Sequence, residues 1–492
     1  MISPARVAAY EASMAVSAGR LDLSDAVAAS RRALREDRDK ALAADITIGV
    51  QRWRASLDHL ITHFARRSID RLDPEVVEIL RLSAYQLLHL TRVPASAVVD
   101  DAVNLTGRAG KRSASGLVNA VLRALSRGRQ PVRLKADSTY VSNADTTQPS
   151  VVSGFSRTTA PRDVASGFSR TLPARPGDPV DRETALAYLS ITLSHPRWLV
   201  ERWYDRYGFD ATEQWLIFNN TPAPLTLRAN PLRNTTEELI AGLERQDIFV
   251  ERGRYALDAL IVERGQPLST AGLDEGRFVV QDEASQLVTL LAGARPGGRI
   301  LDTCASPGGK ATALAARMPE AGLLVACDAR SRRIALLERT VTSSGAKNIR
   351  LVQADLLKPL PFARSFDCVF VDAPCSGLGT LRRDPDIKWR RREQDLPTLA
   401  AAQLTMLHHA SEAVRPGGRL IYATCSSEPE ENESVSAAFV STAAAFVKID
   451  LRHAGLPLPS DVVDGNGHLR TYPHVHGLEA FFGAVFARKS GL

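Results

Sequence analysis

The feature that most constrains the fold is the alternation of short apolar segments with helical ones from about residue 283 to the end of the chain. Continuous apolar strands separated by helices are typical of a mainly parallel sheet that is covered on both faces. We therefore predict an α/β domain over 283–492, with helices near 309–318, 331–343, 396–414 and 430–442. The predicted strands are RILDTC, LLVACD, IRLVQAD, FDCVFVDAP, RLIYATC and FFGAVFA.

The rest of the 492-residue chain divides by composition into three parts. Residues 1–127 carry apolar residues at three- and four-residue steps, as in Val76, Ile79 and Leu80, which predicts an all-helical domain. Residues 128–182 are rich in Ser, Thr, Pro, Arg and Asp and contain SGFSRT twice, so we predict a flexible low-complexity linker. Residues 183–282 are predicted to form a helical and small α+β connecting region.

A glycine pair follows the first predicted strand, in RILDTCASPGGKATALAARM. Gly308 and Gly309 let backbone N–H groups approach a ligand without a Cβ in the way, at the beginning of a predicted helix. The spacing is neither that of a dinucleotide fingerprint nor that of a P-loop. A plain strand-to-helix turn is the alternative interpretation.

Aspartates follow the next three predicted strands, at Asp328, Asp355 and Asp372. Each one alone could be a helix cap, but three of them after a glycine turn favour a ligand crevice at the carboxyl ends of the strands. Because a pyrophosphate fingerprint is absent from the sequence, the pattern fits a mononucleoside with an amino-acid tail. S-adenosylmethionine is a ligand of that kind.

Three motifs, LDTCASPGGK, VFVDAPCSGLGTLRRDPDIKW and YATCSSEPEEN, resemble the signature of RNA cytosine-C5 methyltransferases, and more narrowly the bacterial 16S rRNA methyltransferase B (RsmB or Sun) type. The first 127 residues resemble the NusB-like helical RNA-binding domain of those enzymes. The resemblance implies an all-α N-terminal domain and a Rossmann-like methyltransferase domain, with a small α+β unit between them. It implies methyl transfer to carbon 5 of a cytosine in 16S rRNA, of the cytosine-967 type, through a covalent Cys–C6 adduct.

The resemblance also implies which residues carry the catalysis. Carbon 5 of cytosine is too weak a nucleophile to take a methyl group directly, so a thiolate adds first at C6. By the family pattern Cys425 is that nucleophile and Cys375 helps to release the product, whereas the Pro-Cys of VDAPCSG alone would favour Cys375 as the nucleophile. Asp372 is expected to contact the base, with Lys310 assisting.

The cofactor implied by the resemblance is S-adenosylmethionine. Asp328 is expected to bind its ribose and Asp355 its adenine edge, while Asp372 borders the methyl group and the base. Ser306 stands where the family usually has Ala, and HGLEAFF replaces the more usual D-G-F-F ending. The residues expected around the methionine end are Cys304, Ala305, Ser306, Pro307, Gly308, Gly309 and Lys310.

A basic segment, LRRDPDIKWRRRE, follows the Cys375 motif. Basic side chains neutralise phosphates and an aromatic ring stacks on a base, although a solvated charged face is the alternative. The net charge of +7 permits a nucleic-acid partner without proving one. The target cytosine is expected to be unpaired or flipped out of a duplex. The predicted RNA contacts are Arg382, Arg383, Lys388, Trp389 and Arg390.

The remaining expectations concern location, metals and competing functions. The chain starts without an apolar signal core, and no later run reaches the roughly 18 apolar residues of a membrane span, so a cytoplasmic monomer is expected. The five cysteines lack the paired spacing of a zinc site or a disulfide framework, so no metal is expected, and Cys327 and Cys368 are predicted to fill the core. The alternatives left open are an RNA-binding or assembly factor without catalysis, a methyltransferase for another rRNA or tRNA site, and an amino-nitrogen methyltransferase. The last usually has an aromatic residue after Asp-Pro-Pro or Asn-Pro-Pro, where this chain has Asp-Ala-Pro-Cys.

Overall fold

The computed structural model describes residues 2–128, 171–178, 180–318 and 322–491. The chain divides into two compact units, which we call the helical unit and the sheet unit. The helical unit comprises Met1–Pro222 and Leu381–Arg390, and the sheet unit comprises Ala223–Thr380 and Arg391–Leu492. The predicted connecting region 183–282 is therefore split between the two units after Pro222.

The helical unit is built from amphipathic helices. Its longest helix buries Ile46, Val50, Trp53, Leu57 and Leu60, at the three- and four-residue steps that place side chains on one helical face. The prediction of an all-α N-terminal domain is confirmed. The helices are Pro4–Ser17, Leu23–Ala33, Asp37–Ala65, Pro74–His89, Ala95–Arg108, Ser115–Gly128, Arg182–Ala187 and Arg197–Asn220, together with the short Ile387–Arg390.

Most of the predicted linker, residues 129–170, lies outside the described residues. The last part is described, and there Leu172 is only 4% exposed and belongs to the core of the helical unit. Arg175 forms an ion pair with Glu213 at 2.8 Å. The linker prediction is wrong for these residues, because Leu172 fills an apolar site that composition alone does not reveal.

The sheet unit begins with a four-stranded antiparallel sheet in the order β2-β3-β1-β4. The helix Thr236–Glu244 begins with a capping box between Thr235 and Glu238, and its Leu239 and Leu243 lie in the core of this sheet. This sheet and its helix confirm the predicted small α+β unit. The strands are β1 Thr226–Ala229, β2 Phe249–Arg252, β3 Ala259–Arg264 and β4 Phe278–Val280.

The second sheet follows the order β10-β12-β9-β8-β5-β6-β7. The pairs β5–β6, β6–β7, β5–β8 and β8–β9 are parallel, and β12 runs antiparallel to β9, which confirms the predicted mainly parallel α/β domain. The strands are β5 Arg299–Asp302, β6 Leu323–Asp328, β7 Ile349–Gln353, β8 Phe366–Asp372, β9 Val414–Thr424, β10 Phe446–Ile449, β11 Leu469–Arg470 and β12 Phe482–Arg488. The helices of this unit after the first are Ala271–Asp274, Glu283–Leu290, Gly309–Ala316, Ser331–Ser344, Asp395–Ser411, Glu433–Thr442 and Pro473–His476.

Both faces of this sheet are buried. Successive residues of a strand point to opposite faces, so Phe370 belongs to one apolar core and its neighbour Val371 to the other. Cys327 and Cys368 are buried in these cores as predicted, and burial raises the pKa of each thiol to about 12. With both faces covered, the strand ends are the places left for a site.

Candidate active site

The candidate site lies at the carboxyl ends of the central parallel strands. The strand order runs from β5 to β6 and β7 on one side and to β8 and β9 on the other, which makes β5 and β8 the switch point. Asp302, Asp328 and Asp372 are the last residues of β5, β6 and β8, and Cys425 comes directly after β9. The topology therefore brings the predicted motifs to one edge of the sheet.

The glycine turn after β5 is shaped by a backbone conformation that only glycine adopts easily. Gly308 has φ = 111°, and a Cβ there would lie 2.9 Å from Leu337 Cδ1. At Gly309, the first residue of the helix Gly309–Ala316, a Cβ would meet nothing closer than 3.7 Å. The turn thus leads into the beginning of a helix, where the first backbone N–H groups have no partner within the helix and can meet a polar ligand.

Asp328 is engaged by an arginine in this structure. Arg333 donates to the Asp328 carboxylate at 3.0 Å and to the Ser306 carbonyl at 2.8 Å. The Ser306 hydroxyl donates to the Arg333 carbonyl at 3.0 Å, so the serine that replaces the usual alanine ties the glycine turn to the next helix. A ribose that binds Asp328 would share this carboxylate with Arg333.

Asp355 is placed differently from the prediction. The strand β7 ends at Gln353, so Asp355 is not a strand-end residue, and its carboxylate accepts a hydrogen bond from the Leu357 N–H at 3.0 Å. This is the geometry of an acid that caps a turn. Its expected role at the adenine edge stays a prediction.

The two predicted catalytic thiols are in contact. Cys375 Sγ lies 3.4 Å from Cys425 Sγ. The hydrogen bond to Cys425 is the main cause that raises the pKa of Cys375 well above its ordinary value, followed by burial. The two sulfurs thus lie within hydrogen-bond distance of each other at the strand ends.

A charged pair lies beside the thiols. The Lys310 ammonium and the Asp372 carboxylate are 2.8 Å apart. Burial lowers the pKa of Lys310, but Asp372 offsets that effect and Cys425 also contributes, so the pKa lies above its ordinary value. The Phe481 ring of the HGLEAFF segment lies 5.8 Å from the same ammonium. Lys310 thus connects the glycine turn electrostatically with both Asp372 and Cys425.

Burial raises the pKa of two further groups at this edge, Asp302 and Cys304. Asp302 is 1% exposed, and burial together with the nearby Asp372 raises its pKa to about 7. Burial, with a contribution from Asp302, raises the pKa of Cys304, so its thiol is not a nucleophile. The contribution of Cys304 to the expected cofactor site is thus limited to its backbone and its packing.

The loop that carries Cys375 is fixed to its surroundings by backbone contacts. Gly379 N–H donates to the Cys425 carbonyl at 2.9 Å, and a Cβ on Gly379 would lie 2.0 Å from the Ala480 carbonyl oxygen. Only glycine fits such a close approach. Arg391 donates to the carbonyls of Ser376 and Cys375 at 2.9 and 3.3 Å.

Sequence reasoning did not identify three polar residues that surround the thiols. The buried Glu431 accepts hydrogen bonds from the hydroxyls of Ser376 and Ser426, the residues that follow the two cysteines. The signal was present in YATCSSEPEEN, where an acid occurs in a buried stretch between Ser and Asn. No periodicity distinguishes Glu431 from Glu428, which is also buried, or from Glu430, which is half-buried.

The basic segment 381–390 belongs to the helical unit, which corrects part of the RNA prediction. Lys388 is 1% exposed and donates from its ammonium to the Arg52 carbonyl at 2.9 Å, while the Trp389 indole N–H donates to the Gln51 carbonyl at 2.6 Å. Burial, helped by Arg52, lowers the pKa of Lys388 well below its ordinary value. The prediction that Lys388 contacts RNA is wrong, because its ammonium is enclosed by protein.

The other predicted RNA contacts differ in accessibility. Arg382 donates to the Pro222 carbonyl at 2.8 Å and lies 4.4 Å from the Phe218 ring centroid, both within the helical unit. Arg383 is half-buried, and Arg390 is exposed and pairs with Asp386 at 2.9 Å. Contact of these arginines and of the Trp389 ring with RNA stays a prediction.

The described residues contain neither a candidate metal site nor a candidate membrane-spanning helix. Within 2–128, 171–178, 180–318 and 322–491, no group of three or more His, Cys, Asp or Glu side chains is arranged to hold a metal ion. None of the helices described is long and apolar enough to cross a membrane.

Comparisons with known proteins agree with this geometry. Residues 288–487 match the family described as 16S rRNA methyltransferase RsmB/F, residues 3–127 match the NusB family, and residues 195–269 match the ferredoxin-like domain of RsmF/B-like methyltransferases. The ribosomal RNA small subunit methyltransferase B of Pseudomonas putida is 30% identical over 464 residues, which are 92% of this chain and 93% of that protein. The "probable ribosomal RNA small subunit methyltransferase B" of Bacillus subtilis is 29% identical over 91% of this chain and 90% of its own.

A similar fold has been solved. The crystal structure of PH0851 superposes with a TM-score of 0.75 over 99% of both chains, at 23% identity. At that identity the likeness speaks for the fold alone.

Proposed function

This chain belongs to the family of 16S rRNA methyltransferases RsmB/F, and from that premise we propose that it methylates carbon 5 of a cytosine in 16S rRNA, the cytosine at position 967. Its cofactor is S-adenosylmethionine. The observation that carries the proposal is the contact of two thiols, Cys375 and Cys425, at 3.4 Å beside the Lys310–Asp372 pair. Methyl transfer to a cytosine carbon needs a nucleophile and a separate group that resolves the adduct, and we assign these two roles to the two thiols.

The residues of the glycine turn fit the cofactor. Gly308 and Gly309 leave backbone N–H groups open toward an amino-acid tail, and Asp328 offers a carboxylate to a ribose. The Lys310 ammonium and Asp372 carboxylate match the charges of a carboxylate and an amine. When bound, S-adenosylmethionine supplies the methyl group, which carbon 5 of the base takes up.

Cys425 starts the reaction. Its thiolate forms a bond to C6 of the cytosine, and the electron pair of the C5–C6 double bond makes C5 nucleophilic. Asp372 accepts hydrogen bonds from the amino edge of the base and orients it, while the Lys310 ammonium stabilises negative charge that develops on the ring. Asp355 contacts the adenine edge of the cofactor.

Cys375 completes the reaction once Cys425 is bonded to the base. The chief cause that raises the pKa of Cys375 is its hydrogen bond to Cys425, and a sulfur bonded to carbon no longer carries a thiolate charge. The pKa of Cys375 therefore falls when the adduct forms. Cys375 can then lose its proton to solvent and remove the proton from C5, after which the C5–C6 double bond re-forms and the Cys425 thiolate leaves.

The RNA must present the cytosine unpaired or flipped out, because a thiol below the ring and a methyl donor above it cannot reach a base within a stack. We place further RNA contact at Arg383 and Arg390, with Trp389 and Arg382 contributing what their packing leaves accessible. Such contacts supply mainly electrostatic affinity.

The experiment that tests this function is covalent trapping on RNA that contains 5-fluorocytosine, in the presence of S-adenosylmethionine. The wild-type protein should form a stable adduct, because fluorine at C5 prevents the final proton removal. Cys425→Ala should form none, Cys375→Ala should still form it, and Cys327→Ala, a core control, should behave as the wild type. With ordinary RNA, Cys375→Ala should accumulate the adduct.

Two results would contradict parts of the proposal. An adduct in Cys425→Ala that is lost in Cys375→Ala would exchange the roles of the two thiols. Bisulfite mapping of 16S rRNA from a deletion strain should show one cytosine that has lost its methyl group, and an unchanged map would remove 16S rRNA as the substrate.

A further inference from the structure

The carboxylate of Glu431 is fully buried, at 0% exposure, and accepts four hydrogen bonds. Its Oε1 accepts from the Ser376 N–H at 2.8 Å and from the Gln403 side-chain amide at 2.9 Å. Its Oε2 accepts from the Ser376 and Ser426 hydroxyls, both at 2.5 Å. Each carboxylate oxygen is thus used twice.

Three of these four donors come from the two thiol-bearing loops. Ser376 follows Cys375 and Ser426 follows Cys425, and the two hydroxyl oxygens are 3.1 Å apart. Each thiol is therefore one residue away from a group held by the same carboxylate. The two loops have no sequence continuity, and Glu431 joins them through side-chain chemistry.

A second layer fixes the carboxylate itself. Gln403, on the helix Asp395–Ser411, donates both to Glu431 and to the Pro374 carbonyl at 3.0 Å. The Tyr422 hydroxyl lies between the Gln403 amide oxygen and the Glu431 backbone carbonyl. The acid is thus locked against the helix and β9, and its side chain has little freedom to move.

Energetics distinguish this residue from core filler. A buried carboxylate is costly unless its lone pairs are satisfied, and among the described residues no lysine or arginine forms an ion pair with Glu431. Four donors from fixed positions offset that cost only while the loops keep their places. The carboxylate therefore stabilises one relative position of the two loops.

We propose that Glu431 is a positioning residue that holds the Cys375 and Cys425 thiols at the separation needed for adduct formation and release. This inference rests on the function proposed above for the two thiols. Glu431 touches neither sulfur through a hydrogen bond and acts through Ser376 and Ser426. Its negative charge also contributes to keeping Cys375 protonated before the adduct forms.

The first test compares Glu431→Ala and Glu431→Gln with the wild type in single-turnover assays on 5-fluorocytosine RNA and on ordinary RNA. Glu431→Ala should slow adduct formation by about 100-fold, because displacements of about 1 Å in a reacting pair cost that much. Glu431→Gln should restore part of the rate, since its amide oxygen can still accept from the Ser376 N–H. The dissociation constant for S-adenosylmethionine should change by less than about threefold.

The matched control is Glu213→Gln in the helical unit. Glu213 is also a buried acid that accepts several hydrogen bonds, from Arg175 and from the Tyr188 hydroxyl. Its substitution should lower the unfolding temperature without changing the rate of adduct formation by folded protein. A rate loss in Glu213→Gln equal to that in Glu431→Gln would attribute the effect to general destabilisation and overturn the proposal.

The second test separates the two arms of the carboxylate. Ser426→Ala should mainly slow adduct formation, and Ser376→Ala should mainly slow release from ordinary RNA. In a double-mutant cycle, Glu431→Gln with either serine variant should cost less than the sum of the single effects, since both changes remove the same bond. Strict additivity of the effects would contradict the shared role.

A third measurement does not need methyl transfer. Alkylation of Cys375 by iodoacetamide, followed by peptide mass analysis, gives the pH midpoint of its reactivity. Glu431→Gln should move that midpoint to lower pH, because the negative charge that disfavours the Cys375 thiolate is gone. An unmoved midpoint together with unchanged rates would overturn the inference about Glu431.

Failure of the proposed function would look different from failure of this inference. If the wild-type protein forms no adduct on 5-fluorocytosine RNA, the proposed function fails first. If the wild type forms the adduct and Glu431→Ala forms and releases it at the same rates, only the positioning role of Glu431 is removed.

Discussion

Cys375 and Cys425 carry the same thiol, and their surroundings give the two sulfurs different chemistry. A hydrogen bond to Cys425, burial and the charge of Glu431 all raise the pKa of Cys375. Two cysteines in exposed loops would have thiols of similar reactivity. The contacts of Cys375, rather than its residue type, therefore set its chemistry.

Asp328→Asn should weaken the binding of S-adenosylmethionine. A hydrogen bond to a charged acceptor contributes about 1.5–3 kcal/mol, so the dissociation constant should rise at least about tenfold. Isothermal titration calorimetry would measure this rise. Asp367→Asn is the control, because Asp367 lies near the start of β8 and is held by the Arg299 N–H and Arg415. Equal affinities of wild type and Asp328→Asn would remove Asp328 from the cofactor site.

Asp302 should make the stability of the protein fall as the pH rises from about 4 to about 7. Its pKa in the folded state is raised to about 7, above its ordinary 3.8, so over this range the folded state holds a proton that the unfolded chain has lost. The stabilising contribution is complete below the lower value and is lost as the pH passes the higher one. Asp302→Asn should flatten this decline, which unfolding temperatures at pH 5 and pH 8 would show. Parallel pH profiles of the two proteins would contradict it.

Among the secondary-structure elements, those with strong periodicity were predictable from sequence. The strands β6 and β8 are mainly apolar and each ends in an aspartate, and burial on both faces requires that pattern. The segment 381–390 was not predictable, because its Lys388 is buried against the Arg52 carbonyl, 336 residues away in sequence. Charged residues are usually exposed, and burial of one requires a polar partner, which can be distant in sequence.

The candidate site shows the same division. The glycine turn, Asp328, Asp372 and both cysteines could be located in sequence, because each ends or follows an apolar strand, whereas Asp355 lies beyond the end of β7. Glu431 and Ser426 could not be assigned a role, since hydrogen bonds between two loops leave no local pattern. The prediction that Cys425, and not Cys375, is the nucleophile came from the family resemblance and not from residue spacing.

The short helix Ile387–Arg390 gives a direct test of which basic residues meet RNA. Arg390→Met should lower the slope of log affinity against log salt by about one unit, since each phosphate contact releases roughly one counterion. Lys388→Met should leave that slope unchanged, because the Lys388 ammonium is buried. Filter binding at several salt concentrations measures both slopes. A reduced slope for folded Lys388→Met would show that this ammonium reaches RNA.

Two replacements of the low-complexity stretch, one of residues 131–168 and one that extends through residue 178, should have different effects. A Gly-Ser sequence of equal length in place of residues 131–168 should preserve methyl transfer, since this composition lacks the apolar periodicity of a folded core. Extending the replacement through residue 178 should cost about 2 kcal/mol or more, because it removes the buried Leu172 and the Arg175–Glu213 pair. Thermal unfolding and methylation assays on both variants would measure the difference. Complete loss of activity in a folded protein with only residues 131–168 replaced would show that this stretch has a functional role.

The helical unit is discontinuous in sequence, and this affects the order in which the protein is made. Its first stretch ends at Pro222, but its last piece, Leu381–Arg390, is added roughly 160 residues later, which takes about 8–30 s at ribosomal speeds of ~5–20 residues per second. Until then, the hydrogen bonds from Trp389 to the Gln51 carbonyl and from Lys388 to the Arg52 carbonyl cannot form. A nascent chain therefore completes its first-made unit only after most of the second has left the ribosome.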